Sequence, residues 1–226
     1  MRKVGMIVAV EIQSVLDKFG GRLVERKDIR AFQVLECSLE NCRLIIVSCG
    51  VGEIAAAAAA QFLISSYGVE LIVNFGVVGG LTEEMRKTKV CIVEKVVHYD
   101  IDTAAIDDIE VGRYLDYPDV YIPATAELVT RALALEPQLK PVICASADKF
   151  IADPERKREL HRLYGAQICE MEAAGIVLTC NRNNIPVLSI KTVSDGISGG
   201  AEDFFAEVRN SSLICLDITD KIIREL

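Results

Sequence analysis

Six runs of apolar, largely β-branched residues recur along the chain, at 3–9 (KVGMIVA), 42–48 (CRLIIVS), 70–75 (ELIVNF), 90–97 (VCIVEKVV), 141–146 and 186–193 (PVLSIKTV). Few polar positions interrupt them, so these strands are read as buried on both faces of a mixed, largely parallel sheet. Such a sheet needs helices on its two sides, and helical periodicity fits 11–19, 51–67, 124–135, 154–164, 171–183 and 203–225. The alternation of strand and helix along the whole chain is the pattern of an α/β fold. Two alternating runs within 21–36 (GRLVERKDIRAFQVLE) read as a half-exposed hairpin at a sheet edge. With 226 residues, 51% of them apolar, and no Pro/Gly/Ser linker or repeat, residues 1–226 are expected to form one domain. The irregular stretch 99–123, acidic and tyrosine-bearing, has two readings, a loop over a site or a solvated surface loop.

Charge narrows the partners. The formal net charge is −8, and a nucleic-acid-binding chain needs a basic face, so a neutral or cationic small molecule fits better. The eight cysteines stand singly, without a CxxC, several of them inside strands such as VCIVEKVV. They read as reduced core residues in a cytoplasmic protein, with no metal site expected. The N-terminal apolar run 4–10 stops at Glu11, too short for a membrane span or a signal segment.

Five segments carry candidate chemistry. In SCGVGEIAAAAAA (Ser48–Ala60), Gly50, Gly52 and Ala55 fit GxGxx[G/A] at a strand-to-helix junction. Against a dinucleotide site stand its late position in the chain and Asn74–Phe75, where a ribose-holding acid belongs. A tight turn with close helix packing satisfies the same spacing, and exposed amides at the helix start suit an oxygen-rich ligand edge. NFGVVGGL (Asn74–Leu81) ends a strand in glycines that let backbone approach a flat ligand; Val77 and Gly79 are the candidate floor. SADKFI places Phe150 past a strand end, where an aromatic ring stacks on a planar base or simply joins the core. Most specific are CEMEAAGIVLTC (Cys169–Cys180), with Glu170, Met171 and Glu172 at a helix start, and KTVSDGISGG, with Ser194 and Asp195 at a strand end. Singly, Glu172 reads as a first-turn helix carboxylate and Asp195 as a turn cap. In open α/β sheets, ligands bind outside the carboxyl ends of strands, where a carboxyl group is placed for chemistry.

The succession VGMIVAVE, SCGVGEIAAA, NFGVVGGL, SADKFI, CEMEAAGI and TVSDGISGGAEDF resembles the nucleoside phosphorylase/nucleosidase superfamily, and within it the bacterial 5′-methylthioadenosine/S-adenosylhomocysteine nucleosidases. The resemblance implies a nucleoside phosphorylase-like α/β fold, a mixed sheet twisted into a distorted barrel and flanked by helices, and a homodimer. It implies hydrolysis of the N-ribosidic bond of a 5′-modified adenosine without a cofactor, and a place in methionine salvage. By the same resemblance, Asp195 protonates the departing purine, Phe150 stacks on the base and the Ile151 backbone reads the base edge. Glu172 and the Met171 main chain grip ribose hydroxyls. Members of that family carry three Glu after the first strand, the last of which activates water. This chain has Glu11–Ile12–Gln13, so Gln13 takes that place by count and Glu11 is the alternative base. The family's Arg before the catalytic strand end is Lys191 here, and a small polar residue in its glycine floor is Val77.

Two other readings of the same site stand beside hydrolysis. A phosphorolytic member of the superfamily needs an arginine clamp, yet VAVEIQ and IVNFG carry no Arg. A nucleoside-binding module with weak catalysis follows if Gln13 replaces the base, because an amide orients water without accepting its proton.

Overall fold

The computed structural model describes residues 1–226. Ten strands form one sheet: β1 (Arg2–Val8), β2 (Leu23–Ile29), β3 (Phe32–Ser38), β4 (Cys42–Ser48), β5 (Leu71–Gly80), β6 (Val90–His98), β7 (Ile122–Pro123), β8 (Lys140–Ser146), β9 (Ile168–Glu170) and β10 (Val187–Asp195). Seven helices flank it: α1 (Ile12–Phe19), α2 (Glu53–Phe62), α3 (Ala104–Asp107), α4 (Ala126–Leu135), α5 (Pro154–Tyr164), α6 (Ala173–Arg182) and α7 (Ala201–Glu225). The strand order is β10-β6-β8-β9-β5-β1-β4-β3-β2, and β10 also pairs with β5. That extra pairing closes five strands into a barrel, while β1 and β4 continue the sheet outward to the β2–β3 hairpin at its edge.

Both faces of the sheet are buried, as the apolar runs require. In β1, Ile7 belongs to one core and Met6 and Val8 to the other; in β4, Ile45 and Val47 divide from Leu44 and Ile46 in the same way. This is the two-residue period of a strand with a hydrophobic layer on each side. On one face α2 packs against α6, where the run of small side chains Ala55–Ala60 allows close approach: Ala56, Ala59 and Ala60 are fully buried. On the other face α7 lies across β5 and β10.

One expectation changes, and one open alternative narrows. The strand beginning near 70 does not end before its glycines but runs through Gly80. The glycine segment is held extended by pairing with β10 on one side, Gly76 opposite Lys191 and Gly79 opposite Asp195, and by β9 on the other, Gly79 opposite Cys169. The 99–123 stretch contains α3 and β7 and docks away from the cavity described below. Tyr121 donates to the Tyr164 carbonyl at 3.1 Å, and Asn181 on α6 donates to the Tyr117 hydroxyl at 3.2 Å. No helix is long and apolar enough to cross a membrane.

Candidate active site

The parallel strands β1, β5 and β10 lie side by side and deliver their carboxyl ends to one place. A cavity of about 350 Å³ opens there, lined by residues following β1 (Ala9–Glu11), the last turns of β5 (Val77–Gly79), the β9–α6 junction (Cys169–Glu172), Asp195, Val51, Phe150 and Phe204. Its size lies in the range of small-molecule sites, about 300–1,000 Å³. The walls are largely apolar, and the ionisable groups among the lining residues are Glu11, Glu170, Glu172, Asp195 and the Cys169 thiol. No lining residue is basic.

Glu11 stands at the N-cap of α1, outside the helical phase, and turns back over the end of β5. Its Oε1 accepts from the Val77 amide at 2.9 Å and its Oε2 from the Val10 amide at 3.0 Å, leaving the residue 5% exposed. Gly76 makes this approach possible, since a Cβ there would come within 2.8 Å of Glu11 Oε1. Gln13 lies outside the cavity. It points to solvent from the outer face of α1, and its amide donates to Asp17 one helical turn on, at 2.9 Å. The counted position therefore corresponds to Gln13, but the carboxylate the fold brings into the cavity is Glu11.

Asp195 ends β10 on the other side of β5. It is 1% exposed; the Ser194 hydroxyl lies 3.0 Å from its Oδ1, and the Lys157 ammonium donates to its Oδ2 at 2.6 Å. Phe150 lines the cavity half-exposed and meets Phe204 edge to face, ring centroids 5.7 Å apart. Ile151 is buried behind it, in a small core with Leu81 and Cys169. Burial holds the Cys169 thiol up at about 12, so it is a neutral wall residue.

The two glutamates bracketing Met171 have different tasks. Glu170 faces inward and accepts from the amides of Glu172 (3.1 Å) and Ala173 (2.9 Å), from Ser146 (2.5 Å) and from Lys191 (3.2 Å). Both of its oxygens thus hold internal partners, and they satisfy amides at the start of α6. Glu172 accepts a bond from the Gly52 amide at 2.9 Å through Oε1, and Oε2 has no partner within the chain. Burial first, and then the Glu170 charge, push Glu172 up to about 7. Gly52 sits at φ +108°, a conformation that favours glycine, and from there its N–H reaches Glu172. The Glu53 amide is taken by Asp148 at 2.7 Å. The start of α2, read from the sequence as a set of amides for a ligand, is therefore occupied by two protein carboxylates.

Three buried residues support this floor: Lys191, which stands where the family has Arg, and Glu53 and Ser146, which no sequence motif marked. Lys191 is fully desolvated; burial acts against its ammonium, yet Glu170 and Glu172 carry it above the ordinary lysine range. Glu53 touches the Ser146 hydroxyl, which also touches Glu170. One hydroxyl has one proton to give, so one of the two carboxyl groups must itself be protonated. That group is Glu53, which burial and then the Glu170 charge push up to about 8. Its folded value is raised above that of the unfolded chain, so its stabilising contribution is full below about pH 4.5 and is lost as pH rises through 8. Glu53→Gln should remove that loss. Thermal melts should show wild type at least as stable as the variant at pH 5 and less stable at pH 9, by an amount on the order of a few kcal/mol. Parallel melting curves across this range would contradict the assignment.

The model of the phosphorylase superfamily matches residues 4–225. The chain belongs to that superfamily. Among superfamily relatives, this chain is 29% identical over 217 residues to a 5′-methylthioadenosine/S-adenosylhomocysteine nucleosidase of Shewanella sediminis, covering 91% of each chain. It is 28% identical over 204 residues to the enzyme of that name from Shewanella denitrificans, covering 85% of this chain and 86% of the relative. The superfamily fold is equally plain in three dimensions. A futalosine hydrolase mutant of Helicobacter pylori superposes with a TM-score of 0.93 at 22% identity, covering 100% of both chains. The Helicobacter pylori 5′-methylthioadenosine/S-adenosylhomocysteine nucleosidase, solved with a pyrrolidine-based ligand, gives the same TM-score and identity, covering 100% of this chain and 99% of that one.

Proposed function

We propose that this chain hydrolyses the N-ribosidic bond of a purine nucleoside, a 5′-modified adenosine such as 5′-methylthioadenosine or S-adenosylhomocysteine. The observation that carries the reading is a cavity presenting Glu11, Glu172 and Asp195, with no basic residue among its lining. Breaking an N-ribosidic bond places positive charge on the sugar, which carboxylates stabilise, and negative charge on the base, which a proton neutralises. Asp195 supplies that proton. Glu11, held by two backbone amides, takes a proton from the attacking water. Glu172 accepts from the ribose hydroxyls beside the Met171 main chain, Phe150 lies on the base, and the Ile151 backbone and the Val77–Gly79 strand border it. A phosphorolytic reaction would bring a dianion into the same acidic cavity, so water is favoured as the nucleophile. The carboxylate at Glu11 also favours catalysis over a binding module. A panel of purine nucleosides monitored for base release, with and without phosphate, tests this. Release independent of phosphate and highest for 5′-thio-substituted adenosines is expected; release that requires phosphate would reverse it.

The chain is further proposed to act as a homodimer in the cytoplasm, in methionine salvage, without a metal or other cofactor. The dimer is supported by Val51 and the exposed Ile54 and Phe205, which lie at or next to the cavity rim and suit a partner that closes it. Sedimentation should give a dimer at micromolar concentration. An active monomer would contradict it.

A further inference from the structure

Lys157 is the one lysine buried to 0% exposure, and nothing in the reaction described so far uses it. It sits on α5 in phase with Leu160 and Tyr164, the inward face of that helix. Its three N–H bonds all have acceptors: Asp195 Oδ2 at 2.6 Å, the Gly196 carbonyl at 2.8 Å and the Gly199 carbonyl at 2.9 Å. An uncompensated ammonium could not stay in such a place, and surface lysines elsewhere in the chain form their ion pairs in solvent. Here the partner is the carboxyl group assigned to protonate the base.

We propose that Lys157 is the positioning residue of the acid, orienting Asp195 and passing to it the proton that the departing base receives. The inference rests on the reading that Asp195 protonates a purine leaving group. A carboxylate facing an ammonium has no proton of its own to donate. Two side-chain hydrogens touch Asp195, one on Lys157 Nζ and one on the Ser194 hydroxyl. Loss of the second would leave an alkoxide, so the ammonium is the source. As the C–N bond breaks, its electron pair departs with the base. An N–H bond of Lys157 is exchanged for an O–H bond on Asp195, and that O–H for an N–H on the base. The resulting neutral amine keeps two N–H bonds, one for each of the Gly196 and Gly199 carbonyls, so no acceptor of the loop is orphaned. Glu11 meanwhile gains a proton from water, and its return through solvent to Lys157 restores the starting state without any net gain or loss.

The test compares leaving groups. A purine must be protonated to depart, whereas nitrophenolate leaves without a proton. In the full-length protein, Lys157→Met should lower kcat on 5′-methylthioadenosine about 100-fold or more, within the span of acid catalysis. On a nitrophenyl 5-methylthioriboside the same variant should stay within about threefold, a split that mere loss of loop packing would not give. Lys157→Arg keeps a cation facing Asp195 but should recover little of the loss, because a guanidinium gives up no proton. Asp195→Asn combined with Lys157→Met should be no slower on the purine substrate than Asp195→Asn alone, since the two act as one unit. If Lys157→Met does not fold, Lys157→Gln serves for the same comparisons. Equal losses on both substrates, or additive losses in the double variant, overturn the role of Lys157. Wild type that cleaves the nitrophenyl riboside but no purine nucleoside would refute the purine reading itself, and this role with it.

Discussion

Asp195→Asn is expected to bind 5′-methylthioadenosine and release almost no adenine. The amide retains the shape of the side chain and can still accept from Lys157, so the end of β10 should hold its position. It has no acidic proton to deliver, and the loss in single-turnover rate should be on the order of 10²–10⁴-fold. The variant should also be less stable than wild type, because Lys157 then lies buried opposite a neutral group. Measuring substrate affinity by calorimetry beside the rate separates the two effects. Unaltered turnover would remove Asp195 from the reaction.

Glu11→Gln should be the second severe loss. Its amide oxygen can still accept from the Val77 N–H, although its NH2 cannot accept from the Val10 N–H, and water would lose its proton acceptor. A decrease of about 10²–10⁴-fold in kcat, with KM changed little, is the expected result. Gln13→Glu, on the solvent side of α1, should leave turnover within about twofold of wild type. The opposite pattern, a gain in Gln13→Glu and no loss in Glu11→Gln, would return the base to the position reached by counting. Steady-state kinetics on one substrate suffice to decide between them.

The contrast between these two residues shows what a sequence exposes and what it conceals. Strand ends are readable, because β-branched runs stop where Asp195 and the glycines begin, and so the end of the sheet that carries the site could be found. Glu11 could not be placed, since it precedes the first helical residue and neither helix nor strand periodicity governs its direction. Its conformation is decided by the amides of Val10 and Val77, one of which lies on another strand. Gln13 did carry a local sign of exposure, the i,i+4 pairing with Asp17. The strand at 70–75 reads as stopping before Gly76–Gly80 because glycine is a poor strand former, and the neighbours β9 and β10 hold that segment extended. The buried acids Glu53 and Glu170 resemble ordinary helix-start carboxylates until the fold sets one hydroxyl between them. Lys157 could have been noticed as a charge in the apolar phase of α5, though not as the partner of Asp195.

The central strand β5 also serves as a ruler. It holds Glu11 through the amide of Val77 on one edge and faces Asp195 at Gly79 on the other. Two residues of extended chain separate these points, about 6.6 Å at the usual rise of a strand. The span between the two carboxyl groups is thus written in backbone length, not in side-chain choice. Substitutions can blunt either end of the measure while leaving its length unchanged. Adding or deleting one residue between Val77 and Gly79 would shift one carboxyl group along the strand relative to the other and rotate the intervening side chain to the opposite face.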